Sequence, residues 1–209
     1  MFRNYFKTAW RNLARHKAHT TINVAGLATG IAASLLIFIV VSYELSYDTF
    51  QTNYNNIYRI VTSSKHADGS VDYNPGIPCP AFDALKTNFP QIKKMVALNA
   101  SSGNQFTVLR NNANSDVKKK KKFIEEGNMI FTQPAYFDIF NAKWLTGNKK
   151  SLTEPGNVII DKSTAIKYFG DWKNAEGQFL KLDNTVLLQV SGIIEDMPAN
   201  TDFPIKIFA

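Results

Sequence analysis

The sequence predicts an extracytoplasmic α+β domain preceded by one transmembrane α-helix and an N-terminal amphipathic interfacial helix. Three observations carry this. No Lys, Arg, Asp or Glu occurs between Lys17 and Glu44. Before that run, cations recur every four residues beside aromatic ones. After it, strand-like and helix-like patterns alternate without a strict βαβ rhythm, which is the signature of an α+β layer arrangement.

The charge-free run centres on Gly30-Ile-Ala-Ala-Ser-Leu-Leu-Ile-Phe-Ile-Val-Val41. About 20 mainly apolar residues suffice to cross the hydrocarbon of a bilayer, so residues 18–45 are expected to form a transmembrane helix. A cleaved secretory signal has a shorter apolar stretch and a small-x-small cleavage site. Here the run is too long, and Ser-Tyr-Glu-Leu-Ser-Tyr after Val41 offers no such site. The 17 residues before it hold Arg3, Lys7, Arg11, Arg15 and Lys17 and no acid. Lys and Arg near a span tend to remain cytoplasmic, so residues 46–209 are expected outside.

Residues 1–17 have a pattern of their own. Arg3, Lys7, Arg11 and Arg15 form one stripe of a helix, while Phe2, Phe6, Ala9, Trp10 and Leu13 form the adjacent one. A helix of this kind lies in the headgroup layer, its rings at the acyl boundary and its cations on anionic lipid. The expected membrane-surface contacts are therefore Phe2, Arg3, Phe6, Lys7, Trp10, Arg11 and Arg15. Within the span, Gly26, Gly30 and Ser34 lie four apart, shadowed by Ala25, Thr29 and Ala33. Small residues at this spacing let a second helix approach closely. Gly26, Gly30, Ala33 and Ser34 are the expected packing positions, and Leu27, Ile31, Leu35 and Phe38 form the bulky opposite face.

The net charge of +7 misleads. Residues 46–209 hold 19 cations and 16 acids, and without the lysine run 118–122 the balance turns to −2. Nucleic-acid binding would call for a spread basic surface. Five lysines without interleaved aromatics read as a solvated loop or hairpin tip, with an acidic partner as the sharper alternative. Cys79 is the lone cysteine and builds no intrachain disulfide. His16, His19 and His66 show no metal-ligand spacing, and no P-loop, dinucleotide-binding glycine pattern or nucleophile elbow is present. No catalytic residue, cofactor site or metal site is expected.

In the outer part, 46–56 reads as a helix continuing from the span or a turn-rich collar. Residues 57–63 read as a strand, and 64–76 as a hairpin or loop around Asp68-Gly69. Pro78 and Pro80 bound a helix at 81–88 with Ala81, Phe82, Leu85 and Phe89 on one face, ended by Pro90. Residues 105–110 read as a strand, 111–116 as a turn, and 121–126 and 128–132 as strands about Gly127. A short aromatic helix is expected at 134–140. Then follow a buried strand at 157–160 and a helix capped by Asp161 and stopped by Gly170, with Ala165, Ile166 and Phe169 inward. A hairpin of 179–182 and 186–194 turns at Asp183-Asn184. Hydrophobics at 44% and aromatics at 12% suffice for a core in a domain of this size. The apolar final residues, Phe203-Pro-Ile-Lys-Ile-Phe-Ala209, suggest the N-terminal portion of a longer protein, since termini more often trail off in polar residues.

Several segments together resemble one family. Phe2-Arg-Asn-Tyr-Phe-Lys-Thr-Ala-Trp-Arg-Asn-Leu-Ala-Arg-His-Lys17 and Thr21-Ile-Asn-Val-Ala-Gly-Leu-Ala-Thr-Gly30 are similar to the opening of MacB/FtsX-like ABC transporter permeases. So are Tyr47-Asp-Thr-Phe50 and Asn55-Asn-Ile-Tyr-Arg59. Downstream, Pro134-Ala-Tyr-Phe-Asp-Ile-Phe140, residues 158–170, Val190-Ser-Gly-Ile-Ile-Glu-Asp-Met-Pro198 and Asn200-Thr201 resemble that family's extracytoplasmic domain.

The resemblance implies a non-enzymatic permease subunit of the bacterial inner membrane. Such a permease has four membrane helices, of which only the first is represented here. The implied partners are membrane lipid, a cytoplasmic ABC ATPase, a second permease protomer and a periplasmic adaptor. ATP-driven closure below would be passed through the helices, with the first helix running stiffly through Glu44 toward Asn56, to an outer domain that exports or releases cargo. Two other classes compete: a single-span membrane-anchored ligand-binding or sensor module, which needs a pocket with convergent polar groups, and an anchored hydrolase, which needs a catalytic set.

Overall fold

The computed structural model describes the backbone of residues 2–109 and 121–209, with side chains from Asn4 onward in those ranges. Arg110, the turn expected at 111–116 and lysines 118–120 lie outside the described residues. The chain divides into two compact units, Met1–Tyr47 and Asp48–Ala209.

The first unit is two helices, α1 (Phe2–Arg15) and α2 (Lys17–Glu44), broken at His16. His16 has non-helical dihedrals of −108° and 56°. Across the break, His16 N–H donates to the Asn12 carbonyl at 3.1 Å and Thr20 N–H to the His16 carbonyl at 3.0 Å. The Thr20 hydroxyl donates to the Leu13 carbonyl at 3.0 Å. The 28 residues of α2 rise roughly 42 Å, more than the ~30 Å of bilayer hydrocarbon. None of its side chains is buried within the chain. It ends at Glu44, where Leu45, Ser46 and Tyr47 N–H groups take up the carbonyls of Val41, Tyr43 and Glu44. A stiff helix running to Asn56 is therefore not formed. Residues 45–50 turn, and a short 3-10 turn follows at Tyr54–Asn56.

In the second unit the strand expected at 57–63 begins later. β1 (Thr62–Lys65) pairs antiparallel with β2 (Val71–Asn74) in a two-stranded hairpin. The turn residue Gly69 has φ +87°, and the Asp68 carboxylate accepts from Ser70 N–H at 2.9 Å and the Ser70 hydroxyl at 2.7 Å. These bonds pin the strands around 66–70, which moves the pairing C-terminal of the β-branched run. α3 (Cys79–Asn88) carries Pro80 in its first turn, where a missing N–H costs nothing. Ala81, Phe82 and Leu85 are half-buried, while Phe89 is exposed.

The remaining strands form one nine-stranded mixed sheet among the described residues. They are β3 (Asn99–Ser101), β4 (Asn104–Leu109), β5 (Lys122–Glu125), β6 (Met129–Phe131), β7 (Trp144–Gly147), β8 (Asn157–Asp161), β9 (Phe179–Leu182), β10 (Val186–Ile194) and β11 (Ile207–Phe208). The order is β3-β6-β11-β8-β10-β9-β4-β5. β10 is long enough to carry two partners on one side, β9 along Val186 to Gln189 and β7 along Gly192 to Ile194. The β9–β10 turn places Asp183 and Asn184 at φ 48° and 56°, the left-handed pair that a two-residue hairpin needs.

Alternate side chains of β8 explain why its sequence is continuously apolar. Val158 and Ile160 join one buried cluster with Phe106, Leu180, Val190 and Tyr168, the last from α5 (Lys162–Phe169). Ile159 joins a second, aromatic cluster on the other face with Tyr136, Phe208 and Ile194, beside α4 (Tyr136–Ile139). α5 turns Tyr168 inward and leaves Ile166 43% exposed, so Tyr168 replaces Ile166 on the expected inner face.

β11 was not foreseen as a strand. Phe208 and Ile207 are fully buried, with Ile207 opposite Ile160 of β8 and Met129 of β6. The apolar character of 203–209 thus has a local cause in the sheet.

The junction of β7 and β10 is the tightest backbone approach. Gly147 has φ +70°, and a Cβ there would lie 2.3 Å from the Ser191 carbonyl oxygen and 2.6 Å from Gly192 Cα. Neither backbone atom can yield without moving β10. Gly147→Ala is expected to destabilise the domain by more than about 2 kcal/mol, read as a lowered denaturant midpoint by tryptophan fluorescence. An unchanged midpoint would mean that this approach is slack.

Candidate functional site

The expected membrane contacts lie on two exposed helices. Phe6 and Trp10 are 74% and 67% exposed on α1, and Lys7, Arg11 and Arg15 are exposed on the same helix. Phe2 and Arg3 lie in the first turn of α1, and their side chains are outside the described residues. On α2, Gly26, Gly30, Ala33 and Ser34 are exposed. A Cβ added at Gly26 or Gly30 would meet nothing within 4 Å. The Ser34 hydroxyl donates to the Gly30 carbonyl at 2.9 Å and the Thr29 hydroxyl to the Ala25 carbonyl at 2.8 Å. Both polar groups are satisfied within their own helix, so the stripe offers a small, non-polar surface.

A second locus is the collar at the start of the outer unit. Asp48 has φ 55°, a left-handed conformation that Asp tolerates better than most residues. Its N–H donates to the Asn200 carbonyl at 3.0 Å. Its carboxylate accepts from the Thr201 hydroxyl at 2.6 Å and from Asp202 N–H at 3.3 Å. The Thr201 hydroxyl also accepts from Phe203 N–H at 3.2 Å. Three residues on, Gln51 is only 4% exposed, and its side-chain oxygen accepts from Asn141 N–H at 2.7 Å. The Asn141 amide donates in turn to the Thr52 hydroxyl. Next to the collar, the Tyr136 hydroxyl is pushed above its ordinary pKa by burial, with the Asp48 charge adding to the effect. Asp48 and Thr201 belong to segments recognisable in the sequence, but one sequence gives no sign that positions 153 apart meet. The buried loop residues Gln51 and Thr201 were equally invisible, because polar loop residues are normally exposed.

An open cleft of about 510 Å³ adjoins the collar, with Phe50, Ala142, Met197 and Pro198 supplying most of its apolar wall. Its acids are already engaged. Glu195 pairs with Lys162 at 2.9 Å, and Asp196 accepts from Ser163 N–H at 2.8 Å. The first turn of α5 is therefore held by two carboxylates, since Asp161 caps it by accepting from Thr164 N–H at 2.7 Å. Negative charge at a helix N-terminus is favourable. Burial nevertheless raises the Asp161 pKa against the lowering by the Thr164 and Ser163 bonds, and the nearby Asp196 charge raises it further. At the other end of α5, the Glu125 carboxylate accepts from the Tyr168 hydroxyl at 2.7 Å and from Lys167 at 2.5 Å. Burial, and then this bond, push the Tyr168 hydroxyl upward in pKa.

These arrangements fasten elements together; none pairs a nucleophile with a base. Among the described residues no group of three His, Cys, Asp or Glu is placed to hold a metal. Cys79 is free and exposed.

Comparison with known proteins gives two positive findings. The family described as the MacB-like periplasmic core domain matches residues 20–208. Among solved structures, a crystallised domain assigned to a permease from Porphyromonas gingivalis is similar at 17% identity and a TM-score of 0.47. That alignment covers 60% of this chain and 54% of the other, so the chain spans about half the length of the solved one. No curated protein matches significantly.

The raised Asp161 pKa has a signed consequence. Between the model-compound value of 3.8 and its higher native value, the folded state binds the proton more readily than the unfolded chain. Relative to Asp161→Asn, the parent protein is expected to gain stability as pH falls through that window and to lose the gain as pH rises. Denaturant titrations from pH 7 to pH 4 on both proteins check this. A gap between them that stays constant would refute the assignment.

Proposed function

The chain belongs to the family of the MacB-like periplasmic core domain, and from this premise we propose that it works as a permease subunit of an ABC transporter of the MacB/FtsX-like type. In this reading it couples ATP hydrolysis by a separate cytoplasmic ATPase to motion of an extracytoplasmic domain, for export or release of cargo. The subunit itself catalyses nothing. The observation that carries the reading is the continuity of the family match, which runs from Thr20 inside the apolar helix through the last strand of the domain.

The proposed layout follows the charge and hydropathy pattern. Residues 1–17 lie at the cytoplasmic face of the bacterial inner membrane, with Arg3, Lys7, Arg11 and Arg15 toward anionic lipid and Phe2, Phe6 and Trp10 toward the acyl boundary. Residues 18–45 cross the bilayer, and 46–209 form the extracytoplasmic domain. Gly26, Gly30, Ala33 and Ser34 receive a sister helix, from a second permease protomer or from further membrane helices of the same subunit. A periplasmic adaptor is a further partner of the outer domain. A ligand-binding or sensor module is less well supported, because the carboxylates of the cleft are turned to α5 and not to an open space.

Two experiments test this reading. Cys79 is the one cysteine of the sequence and is exposed in the outer unit, so it reports orientation without engineering. A membrane-impermeant maleimide is expected to label it in intact spheroplasts, and Cys79→Ser to abolish the signal. Labelling only after lysis would overturn the orientation. For the stripe, Gly30→Leu adds a side chain where this chain has open space and replaces a poor helix former. The helix and outer fold are expected to persist, while helix association measured by energy transfer in lipid vesicles weakens at least tenfold. Undiminished association would remove the stripe from the interface.

A further inference from the structure

The collar and β11 are linked by an unbroken set of short-range contacts. Asp48 fastens to Asn200, Thr201 and Asp202 through its N–H and both carboxylate oxygens. From there the chain has little slack. Phe203 N–H bonds back to the Thr201 hydroxyl, and the Phe203 ring sits 5.9 Å from that of Phe140. Ile205 is buried. Lys206 N–H donates to the Asn128 carbonyl at 2.9 Å, and its carbonyl accepts from Asp161 N–H at 2.8 Å. Ile207 and Phe208 then lie in the sheet between β6 and β8. The second arm of the collar, Gln51 and Thr52 on Asn141, reaches the same place. Asn141 follows Phe140, whose ring stacks on Tyr136 at 4.7 Å, and Tyr136 packs on Phe208 at 5.0 Å.

β11 holds a particular position. Among the described residues it alone joins the β3–β6 pair to β8 and the strands beyond. It is only two residues long; besides the burial of Ile207 and Phe208, it is held by bonds of Lys206, which leads into it, and of Ala209, so its place in the sheet depends in part on the segment that leads in. Both arms of the collar therefore converge on the shortest strand of the sheet among the described residues, and they do so from the residue at which the chain arriving from α2 begins the outer unit. Asp48 is bent into a left-handed conformation, with its N–H on Asn200 and its carboxylate on Thr201 and Asp202, three consecutive residues.

We propose that the collar 48–52 and β11 open and close as one cooperative unit, making the collar a clutch between the incoming chain and the seam of the sheet. With the clutch engaged, displacement at Asp48 moves the β6–β11–β8 seam and the aromatic cluster together. With it released, the β3–β6 pair is free to move apart from the rest. Use of this device in transport rests on the permease reading above; the coupling itself does not.

Hydrogen–deuterium exchange on the full chain in lipid nanodiscs tests the proposal. Thr201→Val removes the hydroxyl that bonds to the Asp48 carboxylate, and bonds to carboxylates set opening equilibria by roughly 10- to 100-fold. Exchange at Ile207, Ala209 and Thr132, whose N–H groups bond across the seam, is expected to rise by that factor. Exchange along the β9–β10 hairpin should keep its parent rate, and Thr201→Ser should restore the seam. Asp48→Asn keeps an acceptor oxygen and the tolerance of a left-handed backbone, so it should raise the same amides less; it also serves if Thr201→Val does not fold. The proposal is overturned by a rise confined to 48–52 and 200–203, by an equal rise along β9–β10, or by failure of Thr201→Ser to restore the seam. Each of these outcomes is independent of where Cys79 is labelled, so failure of the clutch and failure of the permease orientation are told apart.

Discussion

The outer domain depends on a seam two residues wide. Ile207 and Phe208 lie between β6 on one side and β8 on the other, and the flanking Lys206 and Ala209 add hydrogen bonds to Asn128, Asp161, Ile130 and Thr132. A strand this short contributes few ladder bonds, so burial does most of the holding. Fully burying side chains of this size contributes about 1.5–3 kcal/mol each, and here both are fully buried. Phe208 also closes the ring of Tyr136 and Phe137, with centroids 5.0 and 5.2 Å away. The two faces of the sheet are stabilised by different means. One is a mixed layer under α5, in which aliphatic side chains surround the Phe106–Tyr168–Phe123 ring contacts and Tyr168 is anchored on Glu125. The other is an aromatic layer under α4. The seam belongs to both, with Ile207 in the first and Phe208 in the second.

Polar groups inside the domain are used to fix position. The Asp48 carboxylate takes two donors and the Glu125 carboxylate takes two, one of them charged. Glu125 is buried and Asp48 half-buried; removing a partner of the buried Glu125 carboxylate leaves desolvated charge behind, which costs more than the bond itself contributes. These clusters therefore specify which segments meet. The same principle explains the α5 N-terminus, where Asp161 and Asp196 approach from two segments and the raised Asp161 pKa records the conflict between burial and charge. At Asp138 the balance goes the other way. Hydrogen bonds from Lys149 and then Lys94 outweigh a small desolvation and hold its pKa below the usual carboxylate range.

In the first unit the physical demands are reversed. Apolar side chains of α2 face outward along its whole length, with no buried residue in the chain to meet them. In water that surface would be a severe liability, whereas in lipid it would be the solvent-matched face, with the backbone polar groups of the helix interior bonded within the helix. The Thr29 and Ser34 hydroxyls follow the same rule by bonding to their own helix. In the proposed packing, the small-residue stripe is where another helix would come close without leaving polar groups bare.

The sequence alone determined whatever depends on neighbours along the chain. The apolar run, the cap at Asp161, the stop at Gly170 and the Asp183-Asn184 hairpin are local, because the residues that create each element also bound it. Continuous apolarity at 157–160 signalled a buried strand, and the structure covers it on both faces. The strand expected at 57–63 was displaced because the bonds at Asp68 and Ser70 outweighed β-propensity. Ile166 yielded its inward place to Tyr168, since a hydroxyl was needed to meet Glu125. Only the tertiary structure decided that Asp48 meets Thr201, that Gln51 lies buried on Asn141, and that the final apolar residues enter the middle of the sheet. Each of these joins positions 90 or more residues apart, or else depends on which strands β11 lies between. Such pairings are set by shape and by competition among all buried surfaces, and a linear pattern of residue types does not encode which of many compatible partners will be found.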